Sequence, residues 1–295
     1  MKSLIVGMGI GQLYRDIYQQ LGHDIVTVDQ DVSKSADFQD INAALALHGV
    51  FDTVHICTPN FTHAGLAQKA GKAGCRIVFV EKPGVANKHI WTSLIHTYKD
   101  TRFMMVKNNM WRDLSEIKNL VDQSRKIKLK WINKNRIPSP GSWFTTKELA
   151  YGGVSRDLMP HLLSLYLALN PGWRASWETG HDSRRIHSLD TIKDTEYGTV
   201  NPMGVYDVDD VCKIKFSHKG CQWKLEANWA DGQADDRAIE IELKDGTKHQ
   251  FELGLCPESA YNTMIQDAIA NVDNDQWWTD QLTLDYWIHE RLEQF

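Results

Sequence analysis

The sequence predicts an α/β protein built in two parts: a parallel sheet with crossover helices, then an α/β domain with an open, mainly antiparallel sheet. Three observations carry this reading. Up to residue 106, short apolar runs alternate with helix-like patterns, the signature of βαβ units with right-handed crossovers. From 212 to 244, apolar and charged residues alternate at every second position, as in a sheet with one buried face. The chain has 295 residues, more than most single cores hold, so two domains are expected, 1–110 and 111–295.

Residues 4–6 form a short apolar strand, and 11–21 a helix with Leu13, Ile17 and Leu21 on one face. Residues 24–29 read as the second strand and 41–48 as the second helix. A buried strand over 53–57 runs into Thr58-Pro59-Asn60, and a helix over 62–74 is closed by Gly74. The strand over 76–80 runs into Glu81-Lys82-Pro83; 88–98 is helical and 102–106 is the next strand. Beyond it, 111–124 reads as helix, 127–135 as strand, and 136–146 as an irregular stretch holding Pro138, Pro140 and Gly141. Gly152 and Gly153 precede a helix over 154–169, and a polar, loop-like stretch follows. Cys212, Ile214 and Phe216 then share a face opposite Lys213 and Lys215. Trp223, Leu225, Ala227 and Trp229 alternate with Gln222, Lys224, Glu226 and Asn228. Ile239, Ile241 and Leu243 alternate with Glu240, Glu242 and Lys244, and Asp245-Gly246 is a hairpin signal. Helices over 258–271 and 275–293 end the chain.

Composition narrows the function. Lys and Arg total 33 against 38 Asp and Glu, a balance that argues against binding nucleic acid by neutralising phosphates. A mean hydropathy of −0.42, with no apolar run near the ~18 residues of a spanning helix, argues against a membrane-embedded chain. Met-Lys-Ser and an apolar run at 4–6 lead straight into glycines, so no signal peptide is expected. Cys57, Cys75, Cys212, Cys221 and Cys256 are odd in number and form no CxxC, which fits free thiols in a cytoplasmic protein. The His residues show no zinc-ligand spacing, so no metal is expected. The charged outward positions of the predicted strands suit a monomer, or a dimer through a polar face, better than an apolar sheet-to-sheet contact.

Gly7-Met8-Gly9-Ile10-Gly11 lies between the first strand and its helix. Glycines there let the backbone approach a pyrophosphate, and the helix N-terminus supplies N–H donors with partial positive charge. A full GxGxxG would put its third glycine at position 12, which is Gln12, and a bare glycine turn is also just a tight βα connection. Asp29 ends the second strand about 20 residues on, where a carboxylate would grip the adenosine ribose hydroxyls and repel a 2′-phosphate. No Arg or Lys follows until Lys34, so NAD(H) is preferred over NADP(H); the plainer reading is that Asp29 caps the next loop.

Four motifs then follow one another: Gly7-x-Gly9, Cys57-Thr58-Pro59-Asn60-x-Thr62-His63, Glu81-Lys82-Pro83, and Gly152-Gly153-Val154-x-x-Asp157-x-x-x-His161. This ordered set resembles the glucose–fructose oxidoreductase/inositol dehydrogenase/MocA family, and the match extends more loosely to the C-terminal helices. The resemblance implies a Rossmann domain followed by an α/β domain whose open sheet often mediates oligomers. It implies that Gly7, Gly9, Ile10, Gly11, Asp29, Thr58, Pro59, Asn60 and His63 hold the cofactor. It also implies that Glu81 and Lys82 flank the nicotinamide, that Asn109 lies in the substrate-side segment and that Trp143 lines the nicotinamide crevice. Asp157 and His161 resemble the acid and base of the family's motif. The sequence departs from the family in its shortened glycine loop and in Phe144, where Arg is frequent. It also departs in Asp157-Leu158-Met159-Pro160-His161, which replaces Asp-x-Gly-x-His, and in Ser164, where Asp is frequent. Proline before the His is similar to the scyllo-inositol dehydrogenase-like branch.

The chemistry expected is hydride transfer to or from a secondary alcohol of a sugar, cyclitol or sugar derivative. Lys82 would stabilise a developing alkoxide, His161 would take the hydroxyl proton, and Asp157 would orient the substrate or the imidazole. If 154–169 is one helix, Asp157 and His161 share a face, although Pro160 can kink it. Two other readings stay open: a glycosidase that retains NAD and oxidises its substrate transiently, and a non-catalytic regulator that senses dinucleotide or sugar.

Overall fold

The computed structural model describes residues 1–170 and 179–295. By compactness the chain divides into two units, Met1–Val106 with Tyr261–Arg291, and Lys107–Ala260 with Leu292–Phe295.

In the first unit, strands β1 (Lys2–Val6), β2 (Asp24–Val28), β3 (Thr53–Ile56), β4 (Ile77–Val80) and β5 (Arg102–Met105) alternate with helices. These are α1 (Gly11–Gln20), α2 (Ile41–His48), α3 (His63–Lys72) and α4 (Lys88–Thr97). The strands pair in parallel in the order β2-β1-β3-β4-β5, so the expected parallel sheet is present. β3 and β4 are buried at every residue; β4 is apolar throughout, while β3 buries Thr53 and His55 between its apolar residues. The chain reverses its direction of travel across the sheet between β1 and β3, the place where such sheets open a crevice at their C-terminal edge.

One helix face differs from expectation. α1 buries Gly11, Tyr14, Ile17 and Tyr18, while Leu13 and Leu21 stay half-buried. The tyrosines bring more apolar area than the leucines and find partners for their hydroxyls, Tyr14 on Glu81 and Tyr18 on His55 Nδ1 at 3.3 Å.

The second unit begins with a 3₁₀ turn, Asn108–Trp111, and α5 (Ser115–Val121), in place of the longer helix expected over 111–124. Asp113 breaks that span: its Oδ1 accepts from Ser115 N at 3.1 Å and from Ser115 Oγ at 2.8 Å, starting a new helix there. Strand β6 (Ser124–Ile132) follows, starting three residues earlier than its apolar residues suggest. The helix expected over 154–169 is preceded by α6 (Lys147–Ala150) and is itself broken into α7 (Val154–Asp157) and α8 (Met159–Leu169). Pro160 explains the break: it has no N–H to give to the carbonyl four residues back, and it is tolerated in the first turn of a new helix.

The second sheet adds β7 (Thr179–Arg184), β8 (Val211–His218), β9 (Cys221–Asn228), β10 (Asp236–Leu243) and β11 (Lys248–Glu252). Its order is β11-β10-β6-β9-β8-β7; neighbours are antiparallel except β6 and β9, which run parallel. The open, mainly antiparallel sheet is therefore present. β7 lies in the stretch expected to be loop, whose residues 171–178 fall outside the described residues. Ile214, Phe216, Trp223, Leu225, Ile239 and Ile241 are buried as alternation requires. On the opposite face Glu226 is ringed by Lys224 at 2.8 Å, Lys213 at 2.9 Å and Lys128 at 3.2 Å. Helices α9 (Glu258–Ala270) and α10 (Asp275–Leu292) end the chain.

Among the described residues, no helix is long and apolar enough to cross a membrane, and no group of three or more His, Cys, Asp or Glu is placed to hold a metal ion. The five cysteines are free thiols.

Candidate active-site elements

In the first unit the candidate residues gather at the C-terminal ends of the strands. Gly7 follows β1 with φ +93°, and a Cβ there would lie 2.6 Å from the Cys57 carbonyl oxygen. Only glycine lets the turn pass so close to the end of β3. Gly9 and Ile10 are exposed, and a Cβ on Gly9 would meet nothing within 4 Å. Gly11 is pressed instead against Ile5, 2.9 Å from the position its Cβ would take. The N-cap position of α1 is Ile10, whose side chain makes no capping hydrogen bond. An open glycine loop before an uncapped helix fits the pyrophosphate of a dinucleotide.

Asp29 follows β2 and reaches the same loop. Its Oδ2 accepts from Met8 N at 2.6 Å and its Oδ1 from Asp31 N at 2.9 Å. It therefore caps the next loop and also braces the glycine turn, while each oxygen keeps a second lone pair for a ribose hydroxyl. Thr58 shares a 2.6 Å hydrogen bond with Thr62, whose hydroxyl donates to Pro59 O at 2.7 Å; Asn60 opens the short 3₁₀ turn that leads into α3. Buried His63 points Nε2 at Thr58 O and Nδ1 at Gly84 O, both at 2.7 Å, and so ties the loop after β3 to the loop after β4. Burial pushes its pKa down, the two carbonyls pull it back up, and the nearby Lys82 charge lowers it again.

Glu81 and Lys82 follow β4. Glu81 is buried; Tyr14 Oη donates to its Oε1, and its Oε2 accepts from Lys82 N at 3.2 Å. Burial pushes the Glu81 carboxyl up, opposed by the phenol and by the Lys82 charge. The loop beyond Lys82 rests on α10. A Cβ on Gly84 would lie 2.7 Å from His289 Nε2, which accepts from Val85 N at 3.3 Å, while His289 Nδ1 donates to Asp285 O at 2.8 Å.

In the second unit Asn109, fully buried in its 3₁₀ turn, donates from Nδ2 to His161 Nδ1 at 3.0 Å. The imidazole stacks on Trp131 of β6 with centroids 5.1 Å apart and planes at 21°. Asp157 accepts from Trp229 Nε1 at 2.9 Å. The double glycine before α7 exists because the segment leading into β8 is approached by backbone alone: a Cβ on Gly153 would fall 1.8 Å from Asp209 O. Asp209 accepts from Gly153 N, Ser155 N and Ser155 Oγ, each at 2.8 Å, and so caps α7 from a distant part of the chain. Trp143 lies in a 3₁₀ turn and stacks on Phe144 at 3.9 Å.

Each unit thus assembles its own share of the candidate residues. Asn109, expected in the substrate-side segment beside the nicotinamide residues, lies on His161. Sequence reasoning did not single out Tyr14, Trp131, Asp209 or His289. Tyr14 carries a weak signal, a hydroxyl at a helix position that faces buried strands, and Trp131 lies on the apolar face of a readable strand. Asp209 and His289 act across long sequence separations and have no local signature.

Residues 2–108 match the family model described as oxidoreductase family, NAD-binding Rossmann fold. An Amycolatopsis mediterranei protein described as a putative oxidoreductase subunit of UDP-kanosamine synthase is 27% identical over 222 residues, 66% of this chain and 56% of its own. A Formosa agariphila oxidoreductase is 30% identical over 134 residues, 41% of each chain. The chain spans about half the length of these curated relatives. Among solved structures, GenD2 from gentamicin A biosynthesis, in complex with NAD, superposes with a TM-score of 0.75 at 17% identity, covering 99% of this chain and 92% of that one. Levoglucosan dehydrogenase with NADH and levoglucosan gives 0.74 at 14% identity, covering 100% and 96%. The family match thus lies in residues 2–108, as an oxidoreductase-family NAD-binding Rossmann fold, and at such identities the likeness to these neighbours over the whole chain is one of fold.

Proposed function

We propose that this chain is an NAD(H)-dependent oxidoreductase acting on a secondary alcohol of a sugar, cyclitol or sugar derivative. One observation carries the reading: the glycine loop, Asp29 and Glu81-Lys82 follow β1, β2 and β4 at one edge of a single parallel sheet. The sugar dehydrogenases among the structural neighbours support the substrate class. The Asp29 carboxylate supports NAD(H) over NADP(H), because a 2′-phosphate would meet a like charge. The free thiols support a reducing compartment, and the charged sheet face around Glu226 supports a monomer or a polar dimer.

A dinucleotide bound at the glycine loop would supply the hydride acceptor or donor. The protein does the rest. Lys82 donates to the substrate oxygen and stabilises the charge that develops there. His161 takes the hydroxyl proton at Nε2 during oxidation and returns it during reduction, which requires Asn109, 3.0 Å from Nδ1, to turn its Oδ1 to that nitrogen. Trp131 fixes the plane of the imidazole. Asp157 orients the substrate or the ring.

The test is NADH absorbance on the purified protein supplied with NAD and a panel of sugars, polyols and cyclitols, with products identified by mass spectrometry. The expected result is NADH and oxidised product in equal amounts. Sugar released without net NADH would replace this reading with a retained-NAD glycosidase. Tight dinucleotide binding with no turnover on any member would replace it with a sensor.

A further inference from the structure

Glu81 is buried at the edge of the sheet, and a carboxylate there needs an anchor. Tyr14 provides it. The side chain is fully buried, and its hydroxyl donates to Glu81 Oε1. The ring has little freedom to swing. It lies on His55 with centroids 3.6 Å apart and planes at 23°; His55 lies in turn on Phe79 at 4.7 Å and 11°. Tyr261 closes another side edge-on at 5.8 Å. The second carboxylate oxygen, Oε2, accepts from the backbone N–H of Lys82 itself at 3.2 Å. One oxygen of Glu81 is therefore held by the helix that follows the glycine loop, and the other by the residue proposed to act on substrate.

We propose that Tyr14 is a positioning residue for the Glu81–Lys82 pair: its phenol holds the Glu81 carboxylate in the orientation that keeps its negative charge beside Lys82. This rests on the functional reading of Lys82 given above. The groups that face the pair come from several elements. Tyr14 comes from α1, Cys57 from the end of β3 and Tyr261 from α9; His63, at the start of α3, faces Lys82. Burial, with the Glu81 charge adding to it, pushes both the Tyr14 phenol and the Cys57 thiol well up, so both stay neutral. Among these groups Glu81 alone can carry negative charge near neutral pH. Without the phenol, a buried carboxyl that has lost its strongest donor takes up a proton more readily, and Lys82 loses the charge that favours its ammonium form.

Tyr14→Phe tests this, because it keeps the ring and its stacking and removes only the hydroxyl. The readout is the titration of Lys82 by competitive labelling with trace acetic anhydride across pH, followed by peptide mass spectrometry on the full chain. In Tyr14→Phe the pH of half-labelling should fall by about one unit, the size expected when a neighbouring opposite charge is lost. Glu81→Gln should move it at least as far, and the double variant no further than Glu81→Gln. Circular dichroism melting checks that each variant is folded; Glu81→Gln probes the same relation should Tyr14→Phe not fold, and an unmoved Lys82 curve there overturns the proposal. A Tyr14→Phe curve that superposes on wild type overturns it as well. Labelling reads Lys82 whether or not it is catalytic. Full turnover in Lys82→Ala would therefore remove the functional reading and leave this relation standing.

Discussion

Asn109 Nδ2 lies 3.0 Å from His161 Nδ1, and the Oδ1 of the same buried carboxamide has no hydrogen-bond partner among the described residues. The pairing has a chemical consequence. With the amino group on Nδ1, the neutral ring carries its proton at Nε2 and presents a donor. A general base needs the opposite, a proton on Nδ1 and a lone pair on Nε2. A half-turn of the carboxamide brings Oδ1 onto Nδ1 and gives that tautomer. Asn is one of the few side chains that can serve both forms from one position.

Replacing that choice with a fixed charge should therefore be visible. Asn109→Asp always offers an acceptor and adds a negative charge beside Nδ1, which favours the imidazolium. The acid limb of the pH–rate profile is expected to move up by about one unit. Asn109→Ala should lower turnover about tenfold, the worth of one orienting hydrogen bond. An acid limb unmoved by Asn109→Asp would detach Asn109 from the proton at His161.

If Lys82 and His161 act on the same hydroxyl, as proposed, kinetics can test it without reference to distance. His161→Ala should lower turnover by roughly 10²–10⁴, as expected for a lost general base. Lys82→Ala should do at least as much. Groups that act as one unit are strongly non-additive, so the double variant should be little slower than the slower single variant. Fully multiplicative losses would mean that the two act on separate steps.

Much of the fold was legible because it is written in short-range periods. The two-residue alternation of Trp223, Leu225 and Ala227 marked β9, and the apolar run before Glu81 marked a buried strand. The position of Asp29 after β2, beside the glycine loop, was legible because it is a fixed offset from that loop. What was not legible depended on distant partners. β7 (Thr-Gly-His-Asp-Ser-Arg) has no apolar alternation; it is an edge strand whose backbone pairs with β8. The parallel pairing of β6 with β9 joins residues nearly a hundred apart, for which no local pattern exists. Tyr14 turned inward, instead of Leu13, because a carboxyl 67 positions away takes its hydroxyl. The break at Leu158 was half-legible, since Pro160 announced a kink but not that a new helix would start around it.

Asp29 carries two tasks that one substitution separates. Asp29→Asn keeps an oxygen for Met8 N but removes the charge. NADH affinity should fall about tenfold, within the worth of one charge-assisted hydrogen bond, while NADPH affinity rises or holds. Titrating the two cofactors by their own fluorescence gives the ratio directly. A ratio that does not move would take Asp29 out of cofactor selection.

Glu226 predicts how stability responds to acid. Burial alone would push its carboxyl up, but hydrogen bonds from Lys224 and Lys213 and the charge of Lys128 overcome this and hold it down at about 2. A depressed folded-state pKa stabilises the protein fully above the unfolded value of roughly 4.3, and that contribution is lost as pH falls toward the folded value. Glu226→Gln leaves three lysines around a neutral amide. Its urea midpoint should be lower than wild type at pH 7, and the gap should narrow by pH 3. An equal gap at both pH values would show that the network does not set the acid limb.

The glycine loop offers the sharpest separation of folding from binding. Gly7 and Gly9 are two residues apart in one motif, yet their surroundings are opposite. A methyl group on Gly7 would run into the Cys57 carbonyl at 2.6 Å, at a φ of +93° that side chains rarely adopt. Gly7→Ala should therefore cost about 2–4 kcal/mol of stability before any ligand is considered. A methyl group on Gly9 meets nothing within 4 Å, so Gly9→Ala should melt like the wild type. If the open space beside Gly9 is where a pyrophosphate lies, that same harmless methyl should weaken NADH binding by tenfold or more, about 1.4 kcal/mol. Melting and NADH titration on the two variants read the two effects apart. Wild-type NADH affinity in Gly9→Ala would place the dinucleotide elsewhere, whatever Gly7→Ala does to the fold.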